Sequence, residues 1–530
     1  MTRRGKAGRA VLLAAAALCT AGQASAQISF ANLAELRVGE DPDAGGLDGP
    51  ANRFSRYEQF DFDSTHGPLH LGFRFESYVP SDRSTPEFNY DRFTRRFATW
   101  RGRNYAVTAG NYEATFGRGL VLRTFALPGV IREERGTPQF GDSRDLDGVR
   151  AEVRAESHHG AFDLTVLQGR PRYSDETPTV PRSGSVEGAA GVASRGPARA
   201  GAHYVRIDSQ TAASPGNTIE TGGGFVQIGF DPWLQRAGWN WLSLDTYAEA
   251  GRAVGLGLPA AISSEKLDRN HGRAVYVSQT LTVDEVLPEV SWGASYEFKD
   301  YQNFQLGVNE PPMLVREHSF SLLNRTTHVV QLLQERGHQV ESRLDWRQTL
   351  DATVNWSQAD NRDGLEFRET YGELGVHWQA RSMVLFAATA DDGIESVRNR
   401  NTLGAYVQVP LADGHSAELE LGRQRAERGV PGTVSNFEDR SFSVTYGLAG
   451  RGALAYVRQT TDDPDEATDP VTGQVSRREY DSVNASLTLG AHHELAMFWG
   501  RRRGGLACTA GTCYKVRSFD GVSARLTSRF

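Results

Sequence analysis

Lysine is nearly missing from this chain. Of 58 basic residues only Lys6, Lys266, Lys299 and Lys515 are lysine; the rest are arginine. That bias fits either GC-rich coding or a polar interior lined with fixed, hydrogen-bonding cations. Excess positive charge is missing too: the formal net charge is −7, which argues against nucleic-acid binding, since that wants a basic face. No apolar run reaches the roughly 18 residues a transmembrane helix needs. Catalytic signatures are also lacking. There is no G-x-S-x-G elbow, P-loop, haem C-x-x-C-H or dinucleotide fingerprint, and His492-His493-Glu494-Leu495-Ala496 lacks the second histidine of a zinc-protease motif. His203, Ser319 and Ser321 carry suitable groups, but nothing in their spacing orders them into a triad. The expectation is a protein that is not an enzyme, with no cofactor and no metal.

What is present begins with the first 26 residues. Arg3, Arg4, Lys6 and Arg9 precede a short apolar stretch from Ala10 to Leu18, and Ala24-Ser25-Ala26 offers small residues for cleavage before Gln27. This is the pattern of a secretory signal peptide. Its removal takes the net charge from −7 to −11. The expected organisation is therefore a signal peptide over 1–26 and one unit over 27–530. Two of the three cysteines survive processing, Cys508 and Cys513, and in an exported chain a disulfide closing a short loop is expected. Such a staple contributes about 2–3 kcal/mol at most.

Strict alternation recurs along the rest of the chain. In residues 148–157, Val149, Ala151, Val153 and Ala155 share one face while Arg150, Glu152, Arg154 and Glu156 share the other. Residues 441–448 and 483–489 behave alike, as do the last residues, where Val522, Ala524, Leu526 and Phe530 oppose Ser523, Arg525 and Thr527. Gly-, Pro- and Asp-rich stretches separate these strands. A soluble sheet of this size would need a second layer to cover each apolar face, and no helical stretch supplies one. A closed barrel in lipid needs none. The predicted fold is all-β: a transmembrane antiparallel barrel with an even number of strands between 18 and 24 and long loops folded into the lumen.

The terminal strand ending in Phe530 resembles the C-terminal signal of bacterial outer-membrane barrels, which the assembly machinery reads. This implies residence in the outer membrane, contact with its lipid and lipopolysaccharide, and Phe530 at the periplasmic rim. The hairpin around Cys508 and Cys513 is then extracellular. A TonB-dependent receptor is disfavoured, because strand patterning starts near Ile28 and leaves no room for a preceding plug.

Two segments are not plain strand. Residues 110–153 concentrate Arg118, Arg123, Arg132, Glu133, Glu134 and Arg135 between glycines, and residues 309–341 hold Arg316, Glu317, His318, Asn324, Arg325, His328 and Glu335. Leu322, Thr326, Val329 and Leu333 have helical spacing, so this second segment reads equally as short helix or strand. Phe116-Gly117-Arg118-Gly119-Leu120-Val121-Leu122-Arg123 with Asp147-Gly148-Val149-Arg150, and Pro311-Pro312, Leu314 to His318, Leu322 to Arg325 and Glu335-x-Gly337, resemble an uncharacterised family of outer-membrane barrels. The resemblance implies a barrel and no established activity.

Three roles are open for these segments. They are loops pinned inside the barrel by charge pairing, a constriction whose Arg and Glu set solute preference, or a binding or catalytic site. His318 and His328 lack a third metal ligand and read as hydrogen-bonded residues. The acids Asp462, Asp463, Asp465, Glu466 and Asp469 read as a solvated loop rather than a calcium site. The resulting expectation is a porin-like channel for small hydrophilic solutes. Its alternatives are a closed barrel acting as an interaction or assembly module and a barrel-rim enzyme. Neither the solute nor the oligomeric state is legible.

Overall fold

In the computed structural model, the described residues are 27–40, 52–79, 90–124, 145–171, 184–211, 214–256, 270–328, 334–361, 364–430, 433–468, 474–509, 512–516 and 518–530. Residues 1–26, with the expected cleavage site at Ala26, lie outside them, as do Arg132, Glu133, Glu134 and Arg135.

Twenty-four antiparallel strands form one sheet in which every strand pairs with its neighbours in the chain. The sheet closes because the first strand, Gln27–Glu40, pairs with the last, Phe519–Arg529. At the seam Phe30 N–H donates to the Phe530 carbonyl at 2.9 Å, and Phe530 N–H donates back to Phe30 at 2.8 Å. Closure leaves no ladder edge unsatisfied, which a sheet in hydrocarbon requires. The count lies at the top of the expected range.

Alternation sets the two faces. Leu403 (66% exposed), Val354 and Trp499 point away from the barrel, while their strand neighbours Thr402, Asn355 and Phe498 do not. The outward apolar face meets no second protein layer among the described residues; lipid is the medium that covers such a face. One barrel end carries short turns, such as Gly67–Pro68 and the residues between Arg195 and Ala198, plus the six-residue helix Asp231–Arg236. The other end carries the long connections, including those after Tyr112, Gln302, Thr461 and Arg502. Two of these long connections turn into the lumen.

Candidate functional site: the lumen plug

The first inward segment follows the short strand Tyr105–Tyr112. Thr115–Phe116 pairs with Leu122–Arg123 as a small hairpin inside the barrel. Its tip needs left-handed backbone at Gly117 (φ 57°) and Gly119 (φ 93°). Space matters as much as conformation, because a Cβ on Gly117 would lie 2.3 Å from Oε1 of Glu249 on the barrel wall. Arg118 N–H donates to Glu249 Oε2 at 2.8 Å, and Tyr247 OH donates to the same oxygen at 2.6 Å. The Arg118 guanidinium donates to Tyr276 OH at 2.9 Å and lies 4.6 Å from the Tyr247 ring centre.

The second inward segment follows strand Val290–Gln302 and docks on the first. Arg123 N–H donates to the Val308 carbonyl at 2.9 Å, and the Asn309 amide donates to the Leu120 carbonyl at 2.9 Å. Leu120, Val121, Leu122, Phe304 and Tyr301 are fully buried and join one apolar cluster with Val186, Val205 and Tyr276 of the wall. Burying each large apolar side chain contributes about 1.5–3 kcal/mol, so this cluster holds the plug on that side of the lumen.

Beyond Pro312 the attachment becomes ionic. Tyr301 OH donates to the Pro312 carbonyl at 2.9 Å and Lys299 donates to the Met313 carbonyl at 2.5 Å. Lys299 also contacts Glu335, whose second oxygen lies 3.4 Å from His328 Nε2. His328 Nδ1 is 3.0 Å from Asp392, and its ring stacks on Phe367 at 4.3 Å. Burial alone would lower the His328 pKa, but hydrogen bonds to Asp392 and Glu335 outweigh it and hold the imidazole up at about 9. Arg316 donates to Glu341 at 2.6 Å, with its guanidinium 5.1 Å from the Tyr371 ring centre. His318 Nε2 is 3.0 Å from Glu369, which also accepts from Arg400 at 2.7 Å; Glu317, next in sequence, is exposed.

A five-residue helix, Ser321–Arg325, ends the crossing. Leu323 and Phe320 pack on Tyr371, Phe386 and Ala388, and Ser321 Oγ meets Glu420 at 3.1 Å and Ser441 at 3.0 Å. Of the two readings of this stretch, helix holds for one turn only; Val329 and Leu333 lie outside the described residues. Arg325 donates to the carbonyls of Arg503 (3.0 Å) and Gly504. Burial, with the Arg503 charge beside it, lowers the Arg325 pKa to about 10.

The acidic run past Thr461 is more than a solvated loop. Asp463 is 3% exposed, takes two 2.7 Å bonds from Arg428 and caps the helix Pro464–Ala467, while Glu466 binds Arg503 at 2.8 Å. Asp469 lies outside the described residues. Cys508 and Cys513 are register partners in a separate hairpin, Gly505–Thr509 with Thr512–Val516, and their side chains lie outside the description. His203 and Ser321 belong to different places. His203 faces Glu249 at 3.8 Å beside Phe116, whereas Ser321 faces Glu420.

Residues 9–190 match a family of unknown function (DUF6029). The match takes in the motif residues 116–123 and 147–150 and ends before those of 311–337. No curated protein matches the chain in sequence. Among solved structures, the E. coli P pilus tip assembly intermediate PapC-PapD-PapK-PapG is similar, with a TM-score of 0.51 at 9% identity over 94% of this chain and 60% of that one. The P pilus usher (PapC) translocation pore is similar at TM-score 0.44 and 10% identity, covering 95% of this chain and 99% of that chain. Pseudomonas aeruginosa OpdL follows at TM-score 0.39 and 15% identity, covering 69% and 93%. At these identities the likeness is one of fold.

Sequence reasoning missed the wall partners: Glu249, Lys299, Glu341, Glu369, Asp392 and Arg400. Each sits on an alternating strand and looks like any inward polar residue. The one available signal is that their charges are opposite or complementary to those of the inward segments.

Proposed function

We propose that the chain is an outer-membrane channel whose lumen the two inward segments narrow for small hydrophilic solutes. Residues 1–26 are then an export signal and 27–530 the barrel, with the long connections outside and Phe530 at the periplasmic rim for the assembly machinery to read. The observation that supports a channel is the inner wall beyond the plug's apolar cluster. There Arg525 meets Glu35 at 2.6 Å and Arg74 meets Asp61 at 2.6 Å, with the two arginine side chains 27% and 24% exposed. Paired charges suit a wall beside water, whereas a barrel packed shut would bury apolar side chains. Charge preference is assigned to the inward segments, through Arg118, Arg123, Arg316, Glu317, His318 and Arg325, with Arg132, Glu133, Glu134 and Arg135 on the same connection as Arg118.

A second reading, a closed barrel serving as an interaction or assembly module, is favoured by the dryness of the plug, whose Leu120, Val121 and Leu122 have no exposure at all. Single-channel conductance of the refolded protein in planar bilayers separates the two. Stable ohmic steps support the channel. Electrical silence from folded, inserted protein supports the closed module.

A further inference from the structure

The outward face is not uniformly apolar. On strand His415–Val430 the outward residues run Ala417, Leu419, Leu421 and then Arg423 and Arg425, away from the short-turn end. On Thr433–Leu448 they run Tyr446, Val444, Phe442 and then Arg440. On Gly452–Thr461 they run Leu454, Tyr456 and then Arg458. Arg423 and Arg440 are register partners and Arg458 pairs with Phe442, so on these three strands the change from apolar to cationic falls within one outward position. Arg440 is eight residues above the strand end at Leu448. With ~3.3 Å per residue and a ~40° tilt, that is roughly 20 Å up, near the top of an apolar band about 25 Å tall.

At this height lies a groove of ≈ 770 Å³ lined by Leu385, Leu403, Leu421 and Phe442 below and by Arg423, Arg440, Arg458 and Arg477 above, where Glu479 on the same rim neutralises Arg458 at 2.8 Å. A neighbouring groove shares Leu403 and Arg423 with it and adds Val354 and Arg425. Glu438 contacts three guanidiniums at once: Arg423 at 2.5 Å, Arg425 at 3.0 Å and Arg440. One carboxylate among three cations leaves two positive charges in excess, on side chains 48%, 66% and 54% exposed.

We infer that this groove binds a phosphorylated, multiply acylated glycolipid of the outer leaflet, of the lipid A type, with acyl chains along Leu403, Leu421 and Phe442 and a phosphate on the Arg423–Arg425–Arg440 cluster. The lower half is continuous with the lipid-facing band, so its occupant is a membrane lipid. The upper half offers forked donors, which match phosphate better than a neutral headgroup. The inference rests on the proposed outer-membrane orientation, which cell fractionation and surface labelling test separately from lipid binding.

The test uses the full barrel, purified in detergent and exposed to three probes: bisphosphorylated hexa-acyl lipid A, the same lipid dephosphorylated, and phosphatidylglycerol. Native mass spectrometry reads occupancy. The parent should retain bisphosphorylated lipid A above the other two. Changing Arg423, Arg425 and Arg440 to Gln should weaken that retention about thirtyfold and leave dephosphorylated lipid A unaffected. If the triple variant does not fold, Arg425→Gln alone should show a smaller loss of the same selectivity. Retention equal to the parent's, equal loss of the dephosphorylated lipid, or phosphatidylglycerol binding as well as lipid A overturns the inference.

Discussion

Asn309 donates through its side-chain amide to the Leu120 carbonyl at 2.9 Å, joining two inward segments 189 residues apart in the chain. The same amide reaches the Phe304 carbonyl at 2.9 Å, and its oxygen accepts from Leu306 N–H at 2.9 Å. Asn309 is 3% exposed, so a substitution strands buried backbone groups rather than returning them to water. Asn309→Leu should therefore cost about 1–3 kcal/mol. The closed ladder does not involve this side chain, so the barrel should still form. Limited proteolysis should then cut the inward segments faster than in the parent, in protein that keeps its heat-modifiable mobility. Unchanged cleavage rates would mean that Asn309 does not hold the two segments together.

Gly117 makes a second, sharper case. It combines φ 57° with a wall carboxylate 2.3 Å from where a Cβ would stand. Gly117→Ala must push Glu249 aside and break the 2.8 Å bond from Arg118 N–H and the 2.6 Å bond from Tyr247. The expected loss is about 2–4 kcal/mol, from overpacking plus left-handed backbone strain. Urea unfolding of the detergent-folded protein measures it. A variant as stable as the parent would show that the hairpin tip can move away from Glu249 freely.

These two residues also mark what a sequence can and cannot tell. Val149, Ala151 and Val153 against Arg150, Glu152 and Arg154 announce a two-faced strand, because a period of two has one structural meaning. Repetition of that pattern without helices leaves lipid as the natural second layer, and closure of the sheet follows from the missing edge. The plug obeys no such period. Arg118 and Arg316 were visible as unusual charges, but their partners Glu249 and Glu341 are brought to them by barrel register, which side-chain identity does not encode. Asp463 shows the same limit from the other side. In an acidic loop it reads as solvated, and only the fold brings Arg428 against it.

Phe530 carries two roles that one experiment can weigh. Its backbone closes the seam with Phe30 by reciprocal hydrogen bonds, and its ring, 60% exposed, lies 5.4 Å from His492 and from His493. Deleting Phe530 removes both the seam pair and the ring. Phe530→Asp keeps the backbone pair and removes the ring. Both variants should reduce the yield of folded barrel in cells, the deletion more. Equal, undiminished amounts of heat-modifiable protein would leave assembly independent of this residue.

His328 sits between Asp392 at 3.0 Å and Glu335 at 3.4 Å, with Lys299 on the far side of Glu335 and the Phe367 ring against its face. Its pKa is raised from 6.5 to about 9, so the folded state holds the proton more tightly than the unfolded chain. A group raised in this way stabilises fully below its unfolded pKa and loses that contribution as pH rises through the folded value. Asp392, Glu335 and Lys299 are the same in parent and variant, so the difference between the two chains follows the proton at position 328. The His328 contribution should be about 3 kcal/mol near pH 6, decline between pH 6.5 and 9, and be absent above it. The comparison is parent against His328→Gln, by chemical unfolding in detergent from pH 6 to pH 10. The gap between them should narrow as pH rises, because only the parent has a proton to lose at this position. A gap that stays constant across the range would mean that the imidazole is neutral throughout, holding the plug by hydrogen bonds and its stack on Phe367 rather than by charge.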